Sequence, residues 1–276
     1  MKYILKKQQG VALFQVLLIV TILMFLAIFV TNKAKMQVKS AQSITDKQKA
    51  MLTVRTVLSK IKFNLLSSPA DVLYDQQKWN FYGEEFLIDD VTVSIQDHNG
   101  LLFINKRTPV DLVDNIISLA NSVDKKNNNS VSSKSFIHWF DEPTNTRIQN
   151  LEQFISMGFS WLSAKELWSY ITVNPRVLFN PMNVPKTLLP VFFPNNQVGR
   201  ILALRATGKN YVEIQHEMQT ITKLTADESV GYVTGPYYRV KISAKINKSY
   251  WNMLYELSIV QQHNGLHVIT LSQRPF

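Results

Sequence analysis

The sequence predicts an α+β protein in which a long N-terminal transmembrane helix continues into an α/β domain with antiparallel strands and an inserted helical subdomain. Two observations predict this class. An apolar run of bilayer length lies near the N-terminus. Behind it, the hydrophobic period changes from helical to alternating, then to helical, and to alternating again near the C-terminus.

The chain has 276 residues, enough to bury a core. It has no cysteine, which excludes disulfides, Cys-ligated zinc, iron–sulfur clusters and thiol chemistry. The composition shifts along the chain predict five parts: a short basic leader (1–10), a transmembrane and stem helix (11–66), the first part of a β domain (67–106), a mostly helical insert (107–222) and strands that complete the β domain (223–276).

The positive charge is concentrated near the N-terminus. The formal net charge is +10, and the first 66 residues hold 11 of the 30 basic side chains and one of the 20 acidic ones. Residues 67–276 are therefore neutral, with 19 of each sign. A nucleic-acid-binding protein places its basic residues on the folded domain, so this distribution argues against nucleic acid as a partner. Basic residues beside an apolar run are typical of a membrane surface.

The apolar run extends from Val11 to Val30 and is interrupted only by Gln15 and Thr21. As a helix, 20 residues span about 30 Å, the thickness of a bilayer core. The run is too long for a secretory signal peptide, and no Ala-x-Ala cleavage site follows it. We therefore expect a single-pass anchor with its N-terminus in the cytoplasm, although lysines flank both ends almost equally.

The stem is predicted to be helical because residues 31–66 contain neither proline nor glycine. Ser67-Ser68-Pro69 then ends the helix. The alternative is a bent junction between the anchor and a separate core helix. Apolar residues recur here in steps of three and four, which predicts one buried face: Met51, Val54, Leu58, Ile61 and Leu65.

Alternating segments predict the strands. Val91–Ile95 is followed by Asn99-Gly100 and then by Leu101–Ile104, which predicts a hairpin with a type I′ turn. Asp89-Asp90 is interpreted as a turn before the strand, and His98 as a residue of the hairpin turn, at the surface. Near the C-terminus the pattern predicts a further strand and a second hairpin: Tyr237–Ile246, then Tyr250–Val260, Asn264-Gly265 and Leu266–Leu271.

The segment between these strands is helical in pattern. Val110–Val123 is predicted as a helix, and 124–135 as a polar loop. Short helical patterns punctuated by Asn and Pro follow: Ile148–Met157, Ala164–Tyr170, Pro185–Phe193 and Gln197–Ala206.

The N-terminal junction, Lys6-Lys7-Gln8-Gln9-Gly10 before the apolar run, resembles the cleavage site of type IV prepilins and type II secretion pseudopilins. The resemblance implies cleavage by a prepilin peptidase between Gly10 and Val11, and methylation of the new amine. Mature position five would be Gln15, where most of these families have Glu. Minor pseudopilin K of the type II secretion system also lacks Glu at that position.

Further segments resemble minor pseudopilin K in the same order. Val93–Gly100 is similar to the stretch of that family in which a strand leads into Asp-x-x-Gly. The family usually has Asn-Leu-Asn after this stretch, whereas this chain has Phe103-Ile104-Asn105. Phe136–Asp141 resembles an Asp-Trp-Ile-Asp element with His138 in place of the first Asp. Ala164–Leu167 resembles the Glu-Leu element of that family, and Phe179–Pro185 resembles its Asn-x-Asn-Thr-Ala motif. Gln197–Lys209, which contains Arg205, resembles the helix that follows this motif in the family.

The resemblance implies a pilin-like fold and a non-enzymatic role at the tip of the type II secretion pseudopilus. There the protein would start or cap fibre assembly for export of folded proteins across the outer membrane. Implied partners are minor pseudopilins I and J, other pseudopilins, the prepilin peptidase and the inner-membrane secretion platform. The folded domain would lie in the periplasm. Two alternatives remain: a tip minor pilin of a type IV pilus, or an uncleaved bitopic inner-membrane protein with a periplasmic binding domain.

No cofactor is predicted. The sequence has no Gly-rich phosphate loop, no Gly-x-Ser-x-Gly and no His-Glu-x-x-His, and no catalytic residue is assigned. Some members of the resembled family bind calcium through acids of the insert. The calcium candidates here are Asp141, Glu142 and Glu152, but the usual run of acids is missing.

Overall fold

The computed structural model describes residues 4–124, 131–143, 145–174, 178–227, 229–263 and 265–276, with the backbone alone for 4–10. The fold class is α+β, as predicted. A long apolar helix at the N-terminus is followed by helices and a five-stranded antiparallel sheet. The chain divides into two compact units, Met1–Thr53 with Ala244–Trp251 and Val54–Ser243 with Asn252–Phe276.

The first helix, α1 (Ile4–Ser67), is continuous through the apolar run and the stem. It ends at Ser67, directly before Ser68-Pro69, as the sequence predicts. Val54, Ile61 and Leu65 of the predicted stripe are buried, and Val57 is buried where Leu58 was expected to be. Lys62 Nζ also donates to Thr270 Oγ1 at 2.7 Å, so the stem is linked to the last strand.

The sheet has the order β1-β2-β3-β4-β5. A short helix, α2 (Ala70–Gln77), connects α1 to β1, a strand that was not predicted from the sequence. The turn between β1 and β2 is formed by Asp89 and Asp90, with φ of 49° and 63°. Positive φ at both residues is the type I′ geometry of a tight hairpin, so the turn interpretation of these acids is confirmed. The strands are β1 (Tyr82–Ile88), β2 (Val91–Asp97), β3 (Tyr237–Ile246), β4 (Ser249–Gln262) and β5 (Gly265–Pro275).

The predicted hairpin between Val91–Ile95 and Leu101–Ile104 is wrong. β2 pairs instead with β1 and β3, and His98–Gly100 forms a 3₁₀ turn. The Asp97 side chain accepts from the Asn99 backbone N–H at 3.0 Å, which turns the chain away from the sheet. Leu101, Leu102 and Ile104 then enter the core of the helical insert.

The C-terminal hairpin is confirmed. β4 and β5 pair antiparallel from Gln262↔Gly265 outward, with a register shift between Glu256 and Leu257. Asn264, the first residue of the predicted turn, lies outside the described residues. β3 also has the predicted bounds.

Seven helices of the described part lie between β2 and β3. The predicted helix Val110–Val123 is found with those bounds. Two other helices begin with a capping box, in which Asn150 and Asn210 are the N-cap residues. Of the predicted loop, 125–130 lies outside the described residues, and the helix after it begins at Ser133. The helices are α3 (Val110–Val123), α4 (Ser133–Trp139), α5 (Leu151–Ser156), α6 (Trp161–Ser169), α7 (Leu189–Phe192), α8 (Asn195–Arg205) and α9 (Tyr211–Thr222).

Candidate functional site

The apolar part of α1 is the first candidate functional surface. Among the described residues, α1 is the single helix long and apolar enough to cross a membrane. Its apolar side chains are outside any protein core, with Leu13 66% exposed and Phe25 69% exposed. The hydroxyl of Thr21 donates to the Leu17 carbonyl at 2.8 Å, so this polar group is satisfied within the helix. An apolar surface of this extent requires lipid or a partner to cover it.

The residues of the predicted processing site lie on this helix. Gly10 and Val11 are within its backbone, and Gln15 is exposed with the apolar side chains around it. Cleavage after Gly10 stays a prediction.

A second candidate is a buried polar cluster where the insert meets the sheet, which we call the Asp97 junction (Asp97, Asn99, Asn183 and Gly235). Asp97, at the end of β2, is fully buried. Its carboxylate accepts from Asn183 Nδ2 at 2.7 Å and from the backbone N–H groups of Asn99 at 3.0 Å and Gly235 at 3.2 Å. One side chain thus connects β2, the 3₁₀ turn of the insert that contains Asn183, and the segment leading into β3.

The charge of Asp97 is costly in this position. Burial raises the pKa of Asp97 to about 6, against the opposing effect of the hydrogen bonds from Asn99, Asn183 and Gly235. The junction is closed to solvent and its carboxylate is engaged by protein donors. It therefore holds the insert on the sheet and does not present a reactive group.

Gly100 allows the two parts to approach closely. A Cβ at Gly100 would lie 1.9 Å from the Asn183 carbonyl oxygen and 2.8 Å from the Val184 nitrogen. Gln96 Nε2 also donates to the Asn183 carbonyl at 2.9 Å. The backbone contact requires a residue without a side chain at Gly100.

Arg205 fixes the same turn from the other side. Its Nη2 donates to the carbonyls of Met182 at 2.9 Å and Val184 at 2.7 Å, and the guanidinium lies 4.2 Å from the centre of the Tyr82 ring. Burial lowers the pKa of Arg205 to about 10, so the group stays charged at neutral pH. Three of the segments that resemble minor pseudopilin K therefore meet here: 93–100, 179–185 and 197–209.

His98 is buried, whereas the sequence pattern predicted a surface position in a turn. Its Nε2 lies 2.8 Å from Glu256 Oε2, and its Nδ1 lies 3.2 Å from Asn174 Nδ2. Its Nδ1 also lies 3.0 Å from Thr172 Oγ1, so both ring nitrogens have polar partners. Arg239 Nε donates to the other carboxylate oxygen of Glu256 at 2.7 Å.

Glu256 stays ionised in this setting. Burial alone would raise the pKa of Glu256, but the His98 hydrogen bond and the charge of Arg239 outweigh burial and lower it. Neither Glu256 nor Arg239 was singled out from the sequence. A lone acid within the apolar strand pattern 250–260 was the signal that could have found Glu256.

The calcium candidates are not brought together into a cluster. Asp141 is 64% exposed and lies 3.2 Å from His138 Nδ1. Across the ranges that the structure describes, no group of three or more His, Asp or Glu side chains could hold a metal ion. The expectation that the chain has no cofactor, with Asp141, Glu142 and Glu152 as weak calcium candidates, stays a prediction.

Comparisons with known proteins add a structural likeness. No family model matches the chain, and a search of curated proteins found no relative. Among solved structures, the chain is similar to a chain of the GspK–GspI–GspJ complex from the enterotoxigenic Escherichia coli type 2 secretion system. The TM-score is 0.40 and the identity 10%, over 86% of this chain and 99% of that chain. At this level of similarity, any functional proposal rests on the residues and architecture of the chain itself.

Proposed function

We propose that the protein is a minor pseudopilin at the tip of the type II secretion pseudopilus, where it starts or caps the fibre that exports folded proteins across the outer membrane. One observation carries the proposal. A single uninterrupted helix, α1, contains the Gly10–Val11 junction, an exposed apolar run of bilayer length and a stem with a buried face. These are the parts that a subunit needs to be stored in a membrane and then built into a fibre by helix packing.

The helical insert supports the proposed position at the tip. Helices α3–α9 enlarge the domain between β2 and β3, and the Asp97 junction and Arg205 hold them against the sheet. A bulky subunit is easier to accommodate at the end of a fibre than within it. The partners proposed are minor pseudopilins I and J, other pseudopilins, the prepilin peptidase and the inner-membrane secretion platform. The role is structural, without catalysis.

The proposed location is the inner membrane, with one span, a cytoplasmic N-terminus and a periplasmic domain. The resemblance of the Gly10–Val11 junction to prepilin cleavage sites supports this orientation, because the lysines on the two sides of the apolar run are almost equal in number. A cytoplasmic N-terminus is also the side on which a prepilin peptidase would act.

The test is the N-terminal sequence of the membrane-extracted protein from cells with and without the prepilin peptidase. We expect the chain to begin at Val11, with a methylated amine, only when the peptidase is present. A chain that begins at Met1 in both strains contradicts the proposal and supports an uncleaved bitopic protein. If cleavage is found, neighbouring genes for secretion or for a pilus distinguish the pseudopilus from a type IV pilus.

A second prediction concerns Gln15. In the resembled families, the usual Glu is thought to pair with the N-terminal amine of a neighbouring subunit. A subunit at the tip has no subunit beyond it, so we expect Gln15→Glu to leave incorporation into the pseudopilus unchanged. Leu18→Glu is the control, because a carboxylate elsewhere in the apolar run is costly in lipid and should reduce membrane integration. Incorporation is measured in sheared fibre fractions, and a large gain or loss with Gln15→Glu argues against capping.

A further inference from the structure

A groove lies along α1 directly after the apolar run. It has a volume of about 770 Å³ and is lined by Lys35, Val38 and Lys39 of α1 and by Asn247 and Lys248 of the β3–β4 turn. The volume is within the range of ligand sites. All these residues belong to the unit formed by Met1–Thr53 and Ala244–Trp251.

The groove has a defined wall. Asp46 is 5% exposed and accepts from Gln42 Nε2 at 2.9 Å and from Asn247 Nδ2 at 3.0 Å. Ser249 Oγ donates to the Ser43 carbonyl at 3.4 Å. These hydrogen bonds hold the β3–β4 turn against α1, and Asp46 is buried between the two.

The charge of this unit is strongly positive. Residues 31–53 and 244–251 contain seven lysines and one acid, Asp46. Lys47 and Lys245 lie over the rings of Trp251 and Tyr250. Within the described ranges, none of the seven lysines forms an ion pair with a carboxylate. The groove lysines are therefore available for an anion from outside the chain.

The position of the groove lysines relative to the apolar run indicates which kind of anion they would bind. Along the helix, Lys35 and Lys39 lie about 8 Å and 14 Å beyond Val30, the last residue of the apolar run. The polar headgroup region extends about 5–8 Å beyond each side of the bilayer core. Lysine side chains reach back to this layer by snorkelling, while their aliphatic parts and Val38 provide an apolar surface. The two lysines thus stand at the height of lipid phosphates.

We propose that this lysine groove binds the headgroups of anionic phospholipids in the leaflet next to the folded domain. The proposal depends on the membrane anchor of the proposed function, but not on cleavage or on the pseudopilus. Bound headgroups would hold the anchored chain at a set depth in the membrane. This binding would also give a role to the lysines after the apolar run, which otherwise reduce the difference in positive charge between the two sides of the anchor.

The experiment is native mass spectrometry of the full chain in detergent, titrated with phosphatidylglycerol or with phosphatidylcholine. We expect at least about tenfold tighter retention of phosphatidylglycerol, and loss of this preference when Lys35→Gln, Lys39→Gln and Lys248→Gln are combined. The matched control combines Lys134→Gln, Lys165→Gln and Lys186→Gln, which removes the same charge from the insert and should keep the preference.

Three outcomes would overturn the proposal. Equal retention of both lipids by the natural chain shows that the groove does not select anionic headgroups. Equal loss in both triple variants shows an effect of net charge alone. A groove variant that keeps its lipids but no longer co-purifies with other pseudopilins shows that the groove takes a protein partner. An N-terminus at Met1 would refute the pseudopilin assignment and leave the lipid measurement valid.

Discussion

Gly100→Ala is expected to destabilise the folded domain by about 3 kcal/mol or more, the upper end of the cost of overpacking. The added methyl would lie 1.9 Å from the Asn183 carbonyl oxygen, which belongs to the backbone and cannot move aside as a flexible side chain can. Relief of the clash requires separation of the 3₁₀ turns His98–Gly100 and Pro181–Asn183, which would break the Asp97–Asn183 hydrogen bond.

The measurement is guanidinium-induced unfolding of the purified chain in detergent, followed by tryptophan fluorescence. Gly199→Ala is the matched control. Gly199 lies within α8, and a methyl group added there would meet open space, so this variant should gain about 0.5–1 kcal/mol from helix propensity. An unchanged unfolding midpoint for Gly100→Ala would contradict the close contact between the two turns.

Asp97→Asn is expected to lower the free energy of unfolding at pH 7 by about 1–3 kcal/mol, the cost of leaving a buried donor unpaired. An amide has a single acceptor oxygen, so it cannot receive all three donors, Asn99 N–H, Asn183 Nδ2 and Gly235 N–H. Its NH₂ group would face another donor.

The pH dependence tests the same site independently. Because burial raises the pKa of Asp97 from 3.8 to about 6, the folded state holds a proton between these values that the unfolded state has released. The natural chain should therefore gain stability over Asp97→Asn as the pH falls from 6 to 4, by up to about 3 kcal/mol for a shift of about two pKa units. Above pH 6 the difference should be constant.

The control for this measurement is Asp227→Asn. Hydrogen bonds from the Ser229 backbone and side chain lower the pKa of the exposed Asp227 carboxyl, so its titration lies below the pH 4–6 window. Its stability difference from the natural chain should be flat over that window. A flat difference for Asp97→Asn as well would show that Asp97 titrates like an exposed carboxyl, and would contradict its burial.

Local sequence patterns were sufficient to predict helices α1 and α3 and the C-terminal hairpin. Helix α3 has the predicted bounds because its apolar period is a local property of the sequence. α1 ends where Ser67-Ser68-Pro69 excludes a further helical turn. The C-terminal hairpin followed from alternation on both sides of a short turn. The N-terminal junction and the lysines beside the apolar run are also properties of the sequence alone.

Only the tertiary structure decided the path of the chain after β2 and the composition of the Asp97 junction. Asn99-Gly100 has the local pattern of a hairpin turn, yet the Asn99 carbonyl accepts from Asn180 N–H at 2.8 Å, and Asp97 bonds to Asn183 and Gly235. His98 is buried because Glu256 provides its partner from 158 residues away. Such contacts outweigh local preference because a buried polar group must be paired, and its partner can come from any part of the chain.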